Sequence, residues 1–226
     1  MRPPPTVVAF DVIETLFSLE NLSQRLDSIG LPVGSLQLWF AHILRDGFAL
    51  DATDVYRPFR EVASAALLSL LAEYRLSADP EKIVTVLDGF AELSPHPDAD
   101  AAFRRLHEAD IDIVTLTNGS ASTTEKLLQN AGLRQSVKEV ISVEEVRHWK
   151  PRREVYLYAA RRLGVDPQHF ALVATHAWDV HGAGSAGLTT AFVARGKTFP
   201  RTMMPPHITV ESLTEAAAEL VKFSQR

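Results

Sequence analysis

Residues 6–16 read Thr-Val-Val-Ala-Phe-Asp-Val-Ile-Glu-Thr-Leu. The short valine-rich run that ends at Asp11 predicts a buried strand followed by a turn. Similar runs give further predicted strands, at 111–116, 137–143, 170–174 and 189–193. Helical patterns separate the last four strands, at 122–131, 155–163 and 177–186. This alternation indicates an α/β fold, with a parallel sheet that carries helices on both faces.

The interval between the first two predicted strands has a different pattern. Residues 18–93 show helical patterns and no convincing strand. Apolar residues at helical spacing predict two buried stripes. The stripes are Leu38, Ala41, Leu44 and Phe48, then Val55, Phe59, Val62, Ala66 and Leu70. We therefore predict a core formed by residues 1–17 and 94–226, interrupted by an all-helical insertion at 18–93.

Composition excludes several classes of function. The 226 residues are 46% hydrophobic and 23% charged, which is a globular balance. Lys+Arg 23 against Asp+Glu 28 gives a net charge of −5 without a basic run, so we expect no nucleic-acid partner. Because cysteine is absent, thiolate metal sites and cysteine nucleophiles are excluded. The first apolar run is too short for a signal-peptide core or a membrane span, so we expect a soluble, cytoplasmic protein without a membrane partner.

Polar side chains collect where the predicted strands end, and the ligand crevice of a parallel sheet lies beyond these ends. They are Asp11, Thr117-Asn118-Gly119-Ser120, Lys150, and Thr175-His176 with Asp179. A carboxylate can act as a nucleophile when a cation keeps it ionised and hydrogen bonds orient it. Lys150 is a candidate for that cation and Thr15 for an orienting hydroxyl. Taken singly, Asp11 is also typical of a turn, and Lys150 of a solvated surface.

Four segments, in this order, resemble the motifs of the haloacid dehalogenase superfamily. They are Asp11-x-x-x-Thr15-Leu16, Thr117-Asn118-Gly119, Lys150-Pro151 and Ala177-Trp178-Asp179. Further stretches resemble its type II 2-haloacid dehalogenase branch, namely Ser142 to Arg147, Glu154-Val155-Tyr156 and Asp179-x-x-Gly182-Ala183. The resemblance covers nearly the whole chain. It implies a Rossmann-like core with a helical cap at 18–93, a small anionic substrate, no cofactor or metal and, by analogy, a homodimer.

The resemblance also implies roles for the matched residues. Asp11 would attack the substrate carbon, expel halide and form an aspartyl ester. Thr15 and Lys150 would hold Asp11 in place. Asp179 would hold the lysine and position the hydrolytic water, and Tyr156 would lie near that lysine.

Other matched positions are expected to face the substrate. They are Thr117, Asn118, Tyr156, Trp178, His176, Phe40 and Arg45. Phe40 follows Trp39 where the branch has an arginine that receives the halide, and His42 or Arg45 are candidate replacements. His176 stands where the branch has asparagine, and three roles remain open for it: base, hydrogen-bond donor or polar packing residue.

Two positions bear on the type of reaction. Most superfamily members transfer phosphoryl groups with Mg²⁺, and they have carboxylates where this chain has Ile13 and Thr175. A halide leaves without a proton or a metal, so these replacements favour a carbon–halogen hydrolase. The branch has glycine at the position of Glu14, and a carboxylate there raises the pKa of the nucleophile unless it points away or is paired.

The leading hypothesis is a metal-independent hydrolase that acts on a small organic halide, most simply a 2-haloacid, through an Asp11 ester. One alternative is a phosphatase with an altered acid group, His176 or Glu14. Another is a catalytically degenerate member that binds a small ligand without turnover.

Overall fold

The computed structural model describes residues 3–77 and 79–223. Residues 1–2, 78 and 224–226 of the predicted core and insertion lie outside this description. The strands are β1 (Val7–Phe10), β2 (Phe17–Ser18), β3 (Ser94–Pro95), β4 (Asp112–Thr117), β5 (Glu139–Ser142), β6 (Phe170–Ala174), β7 (Thr189–Val193) and β8 (Ile208–Val210). Within the described ranges, six of them form a parallel sheet in the order β5-β4-β1-β6-β7-β8. The predicted α/β class is confirmed.

Helices cover both faces of this sheet. They are α1 (Asn21–Ser28), α2 (Ser35–Ala52), α3 (Phe59–Glu73), α4 (Pro80–Asp88), α5 (Ala99–His107), α6 (Ala121–Asn130), α7 (Arg153–Leu163), α8 (Ala177–Ser185) and α9 (Leu213–Phe223). Alternate residues of β1 belong to different apolar clusters: Val8 and Phe10 pack with the α5, α6 and α9 side, and Val7 and Ala9 with the α7 and α8 side. This alternation follows from the two-residue repeat of a strand.

The segment that carries α1 to α4 leaves the core and returns to it at one place. β2 pairs antiparallel with β3, so Phe17 lies opposite Pro95 and Ser18 opposite Ser94. The ring of His96 adds a contact across the same junction, since its Nε2 lies 3.0 Å from the Glu14 carbonyl oxygen. The two ends of the helical segment are therefore held together beside the end of β1.

Some details of the predicted elements are wrong. Val55 precedes α3 and is 40% exposed, because the helix begins only after Pro58. On α2 the predicted stripe is rotated: Leu38 is 39% exposed, whereas Trp39 and Ile43 are fully buried. The strand β8 was not predicted, because it is a three-residue edge strand with one buried side chain.

The inserted helices pack closely on the loop that leads to Lys150. On α2, Gly47 faces the ring of Trp149, and a Cβ atom at that glycine would lie 2.6 Å from the indole. Asp51 of the same helix accepts a hydrogen bond from the Trp149 backbone N–H at 3.0 Å. These contacts fix the loop against the insertion. Across residues 3–77 and 79–223, none of the helices is both long and apolar enough to cross a membrane.

Candidate active site

Asp11 is the first residue after β1 and is 4% exposed. Its Oδ1 accepts a hydrogen bond from Lys150 Nζ at 2.8 Å, and its Oδ2 accepts one from Thr15 Oγ1 at 2.7 Å. The Thr15 oxygen is in turn held by the backbone N–H of Thr175, which donates to it at 3.0 Å from the end of β6. Two neighbouring strands therefore fix one carboxylate in a defined orientation.

Lys150 is fully buried, and its ammonium group has an acceptor for each of its three protons. Its Nζ donates to Asp11 Oδ1, to the Leu116 carbonyl oxygen at 2.8 Å and to Asp179 Oδ2 at 2.7 Å. The Asn118 side chain holds the lysine backbone, because its Oδ1 accepts from the Lys150 N–H at 2.9 Å. Lys150 thus joins the ends of β1 and β4 to the start of α8.

Asp179 lies deeper than Asp11 and is fully buried. One of its oxygens binds Lys150, and the other accepts a hydrogen bond from the Tyr156 hydroxyl at 2.6 Å. Tyr156 is also fully buried, on the inner face of α7. The structure therefore places Tyr156 behind Asp179, as a support for this carboxylate, and not among the residues that line the small cavity beside Asp11.

His176 lies at the N-terminus of α8, between two carboxylates. Its Nδ1 is 3.1 Å from Asp11 Oδ2, and its Nε2 is 2.8 Å from Glu14 Oε2. Glu14 reaches the imidazole from a left-handed backbone conformation, with φ 63°. The ring also stacks on Trp178, with centroids 5.1 Å apart, and meets the Phe40 ring at a tilt of 31°, with centroids 5.8 Å apart. The pairing of Glu14 was not predicted, although a histidine at one strand end and a carboxylate beside the nucleophile were both visible in the sequence.

These contacts decide the protonation of the site. Burial alone would raise the pKa of Asp11, but Lys150 and His176 outweigh it and hold this pKa well below its usual range. Burial opposes a charge on His176, yet hydrogen bonds and charges from Asp11 and Glu14 raise its pKa to about 9. His176 is therefore an imidazolium at neutral pH. Burial and the nearby Asp11 charge raise the pKa of Asp179 above its ordinary value, although Lys150 and Tyr156 pull it down.

A small cavity of about 20 Å³ adjoins Asp11. The side chains around it are Asp11, Ile13, Phe40, Leu44, Phe59, Thr117, Asn118, His176 and Trp178. The predicted positions Thr117, Asn118, His176, Trp178 and Phe40 are therefore brought together beside the nucleophile. Aliphatic side chains and aromatic rings make up most of the wall. The polar groups lie on the side formed by the carboxyl ends of the sheet strands.

Arg45 does not reach this cavity. Its guanidinium is 60% exposed and donates to Asp46 Oδ1 at 2.8 Å, because this position of α2 faces solvent. His42, the other candidate replacement for the arginine of the branch, is also outside the set of residues that line the cavity in the described part of the chain. Among the described residues that line the cavity, the cation is instead the protonated ring of His176.

The donor set at this sheet edge does not fit a Mg²⁺ ion. Lys150 Nζ lies between Asp11 and Asp179, so an ammonium group already bridges the two carboxylates. The first side chain after β6 is the Thr175 hydroxyl, and the second oxygen of Asp11 contacts Thr15 and His176. A site for this ion needs several hard oxygen ligands in an octahedral arrangement.

Comparisons with known proteins agree with this geometry. The family model described as haloacid dehalogenase-like hydrolase matches residues 5–187. The (S)-2-haloacid dehalogenase of Pseudomonas sp. (strain YL) is 28% identical over 218 residues, which covers 94% of this chain and 93% of that protein. The (S)-2-haloacid dehalogenase of Xanthobacter autotrophicus is 30% identical over 190 residues, covering 83% of this chain and 74% of that one.

Solved structures show the same fold. The structure of L-2-haloacid dehalogenase from Xanthobacter autotrophicus, with chloropropionic acid covalently bound, superposes with a TM-score of 0.88. Its sequence is 25% identical, and the match covers 96% of this chain and 98% of that chain. The ordered motifs, the parallel sheet with its helical insertion and the family match together show that this chain belongs to the haloacid dehalogenase-like hydrolases.

Proposed function

We propose that this chain hydrolyses the carbon–halogen bond of a small 2-halocarboxylate through an ester on Asp11. The observation that carries this proposal is an ionised, buried carboxylate, held on both oxygens, at the wall of a largely apolar cavity. The names of the relatives and the covalently bound chloropropionic acid in a similar structure support the substrate class.

In the first step, an Asp11 oxygen attacks C2 of the substrate as the carbon–halogen bond breaks and the halide leaves with the bonding electrons. Lys150 and Thr15 keep the attacking group in place, which lowers the entropic cost of reaching the reactive geometry. Thr117 and Asn118, on the polar side of the cavity, are the groups we assign to the substrate carboxylate. No proton is needed, because halide is a weak base.

In the second step, His176 handles the proton of the hydrolytic water. Both oxygens of Asp179 are engaged away from the cavity, whereas His176 lies on its wall. Once the ester forms, the Asp11 charge that raises the His176 pKa is gone, so the imidazolium can pass its proton to Glu14, whose side chain is 30% exposed. Neutral His176 then accepts a proton as the water oxygen attacks the ester carbonyl carbon of Asp11.

The tetrahedral intermediate breaks its bond to the substrate oxygen and regenerates the Asp11 carboxyl group. The departing alkoxide takes the proton from His176 and leaves as a 2-hydroxy acid. The remaining proton of the former water then passes from the Asp11 carboxyl to His176, whose Nδ1 is 3.1 Å from Asp11 Oδ2, and this restores the imidazolium and the carboxylate. The overall reaction consumes one water and releases halide and one proton. Residues of the core and residues of the helical insertion both line the cavity at which this reaction takes place. This shared lining supports our assignment of residues 18–93 as a cap over the core of 1–17 and 94–226.

The test is a single turnover of (S)-2-bromopropanoate with excess enzyme in water labelled with oxygen-18, followed by mass analysis of the peptide that contains Asp11. We expect the label in that peptide, because the water oxygen enters the aspartate. The Asp11→Asn variant is the control. An unlabelled peptide after complete halide release would refute the ester.

The phosphatase alternative makes the opposite prediction, which is hydrolysis of a phosphate ester that needs Mg²⁺ and stops with a chelator. The homodimer and the cytoplasmic location stay predictions from the resemblance and the composition. Light scattering after size-exclusion chromatography tests the homodimer. Fractionation of the source cells tests the cytoplasmic location.

A further inference from the structure

His176 is placed to act as an acid as well as a base. Its imidazole lies between two carboxylates, with Nδ1 3.1 Å from Asp11 Oδ2 and Nε2 2.8 Å from Glu14 Oε2. An imidazolium has a proton for each of these oxygens, whereas a neutral imidazole has a proton on only one nitrogen. The geometry therefore favours the doubly protonated ring, and this ring lines the cavity beside the nucleophile.

The other charged groups around the ring do not reverse this preference. Lys150 Nζ contacts the other oxygen of Asp11, and its charge is shared with Asp179. Lys197 Nζ is 4.0 Å from Glu14 Oε1 and its side chain is 53% exposed, so solvent screens its charge. The residues of α2 that line the pockets on either side of the ring are uncharged. The two carboxylates in direct contact therefore decide the charge of the imidazole.

This bound proton is not needed for the loss of a halide. Halide is a weak base, and after it leaves, the imidazolium still has to lose its proton before it can activate water. A leaving group that is a strong base has the opposite requirement, because a positioned acid that gives it a proton speeds its departure. The same transfer leaves His176 neutral, which is the form that activates water. The resting protonation of the site therefore matches a basic leaving group.

An epoxide combines a basic leaving group with a carbon that a carboxylate can attack. Ring strain makes this carbon electrophilic, but the departing oxygen is an alkoxide and needs a proton. Lys150 and Tyr156 donate to carboxylates, and neither is among the described residues that line the cavity. The hydroxyl of Thr117 and the amide of Asn118 are not groups that serve as general acids near neutral pH. His176 is the acid that remains.

We propose that this site also hydrolyses small epoxides to diols, with Asp11 as the nucleophile and His176 as the proton donor to the epoxide oxygen. This inference rests on the Asp11 ester of the proposed function and adds a second class of substrate. The simplest example is glycidate, in which an oxygen that bridges C2 and C3 replaces the halogen of a 2-halopropanoate. Glycidate needs no more room than that acid and offers the same carboxylate to the site.

The reaction balances without an outside acid or base. An Asp11 oxygen attacks C2 of glycidate, the C2–O bond breaks with its electron pair on oxygen, and this oxygen, still bonded to C3, takes a proton from His176. Neutral His176 then accepts a proton from the water that attacks the ester carbonyl carbon. As the ester bond breaks, the C2 oxygen takes that proton, and the proton left on the Asp11 carboxyl returns to His176. One water is consumed, 2,3-dihydroxypropanoate is formed and no proton is released.

The experiment compares (S)-glycidate with (S)-2-bromopropanoate between pH 6 and 10, by following dihydroxypropanoate and bromide. Formation of the ester commits either substrate, so kcat/KM reports the first step. For glycidate we expect kcat/KM to be constant near neutral pH and to fall about tenfold per pH unit above a pH of about 9, where His176 loses its proton. For bromopropanoate it stays constant, because bromide leaves without a proton. A single turnover of glycidate in water labelled with oxygen-18 places the label in the Asp11 peptide.

Two substitutions separate the proton donor from the nucleophile. His176→Asn lowers kcat/KM for glycidate by at least about a hundredfold and that for bromopropanoate by less than about tenfold. Glu14→Gln keeps the proton donor but moves the fall for glycidate to lower pH, by roughly one to two units. Glu108→Gln, at an exposed position, is the matched control and leaves that fall in place.

Release of bromide without any dihydroxypropanoate from glycidate would overturn this inference and leave the proposed function standing. Turnover of glycidate with no fall above pH 9, or with the label in the product instead of the Asp11 peptide, would also overturn it. Diol formation without bromide release would support it and overturn the proposed function. No product from either acid would overturn both.

Discussion

Replacing Glu14 with glutamine tests the protonation of His176, on which the second half of the reaction depends. Glu14 Oε2 is 2.8 Å from His176 Nε2, and the imidazole has its other nitrogen on Asp11. Glutamine keeps the size of the side chain and can still accept a hydrogen bond, but it removes one of the two negative charges that favour the imidazolium. We expect the pKa of His176 to fall.

The size of the fall follows from the strength of the contact. A hydrogen bond to a charged group contributes roughly 1.5–3 kcal/mol, and about 1.4 kcal/mol corresponds to one pKa unit. The loss of the Glu14 charge therefore lowers the pKa of His176 from about 9 by roughly one to two units. In Glu14→Gln the pH at which the hydrolytic step reaches its plateau falls with the pKa of His176. The plateau rate also falls, because glutamine cannot accept the proton that His176 gives up before the water attacks.

The titration of His176 also makes the free energy of unfolding depend on pH, and the sign of this dependence follows from the direction of the pKa shift. The pKa of His176 is raised in the folded state, from the ordinary 6.5 to about 9. Its protonation therefore stabilises the fold fully below pH 6.5, and this contribution, about 3 kcal/mol, is lost as the pH rises to about 9. In Glu14→Gln, protonated His176 contributes less to the free energy of unfolding, and this smaller contribution is fully lost at a lower pH.

The assay is an NMR titration of the histidine rings, with His176 assigned by its absence in His176→Asn. Urea unfolding between pH 6 and 10 gives the linked stability. Glu108→Gln, which removes the same charge from an exposed position at the end of α5, is the control and leaves the titration unchanged. A His176 midpoint near 6.5 in the unmodified protein, or one that Glu14→Gln does not move, would refute the reasoning.

Three further substitutions test the support of the site. Lys150→Met leaves two buried carboxylates without their cation and should lower the free energy of unfolding by about 3–5 kcal/mol, as measured in urea at pH 7. Tyr156→Phe removes a 2.6 Å hydrogen bond to a buried carboxylate and should cost about 1.5–3 kcal/mol. Tyr158→Phe, whose hydroxyl binds an exposed glutamate, is the control for that variant and should cost less than about 1 kcal/mol. Gly47→Ala places a methyl group 2.6 Å from the Trp149 ring and should destabilise the fold by roughly 1–3 kcal/mol, visible as a lower Tm. Unchanged unfolding curves for these variants would show that the packing described at Lys150, Tyr156 or Gly47 contributes little.

The sheet and its ligand edge could be predicted from local patterns. Buried parallel strands are nearly continuous apolar runs, so Phe170–Ala174 and Thr189–Val193 were predicted with the bounds that the structure has. The convergence of Asp11, Lys150 and Asp179 followed from the rule that such strands carry their site at the carboxyl ends. Neither prediction required knowledge of side-chain direction.

The predictions that did depend on side-chain direction were less accurate. Glu14 pairs with His176 because of a left-handed backbone angle, which nothing in the sequence around it signals. Tyr156 turns toward Asp179 because the inner face of α7 packs on the sheet, and Arg45 turns to solvent because the buried face of α2 is the one with Trp39 and Ile43. Such orientations are decided by tertiary packing, which local spacing does not contain.

The short β2–β3 pair has a consequence for engineering. A segment whose two ends lie side by side can be replaced by another helical segment with little change in the loop-closure entropy of the chain. Ser18 and Ser94, which face each other in this ladder, mark the natural joints for such a graft. Because apolar side chains of α1 to α4 share one cluster with β1 and α5, the donor segment has to bring its own matching apolar surface. Chimaeras joined at these two serines would carry new substrate pockets over an unchanged nucleophile.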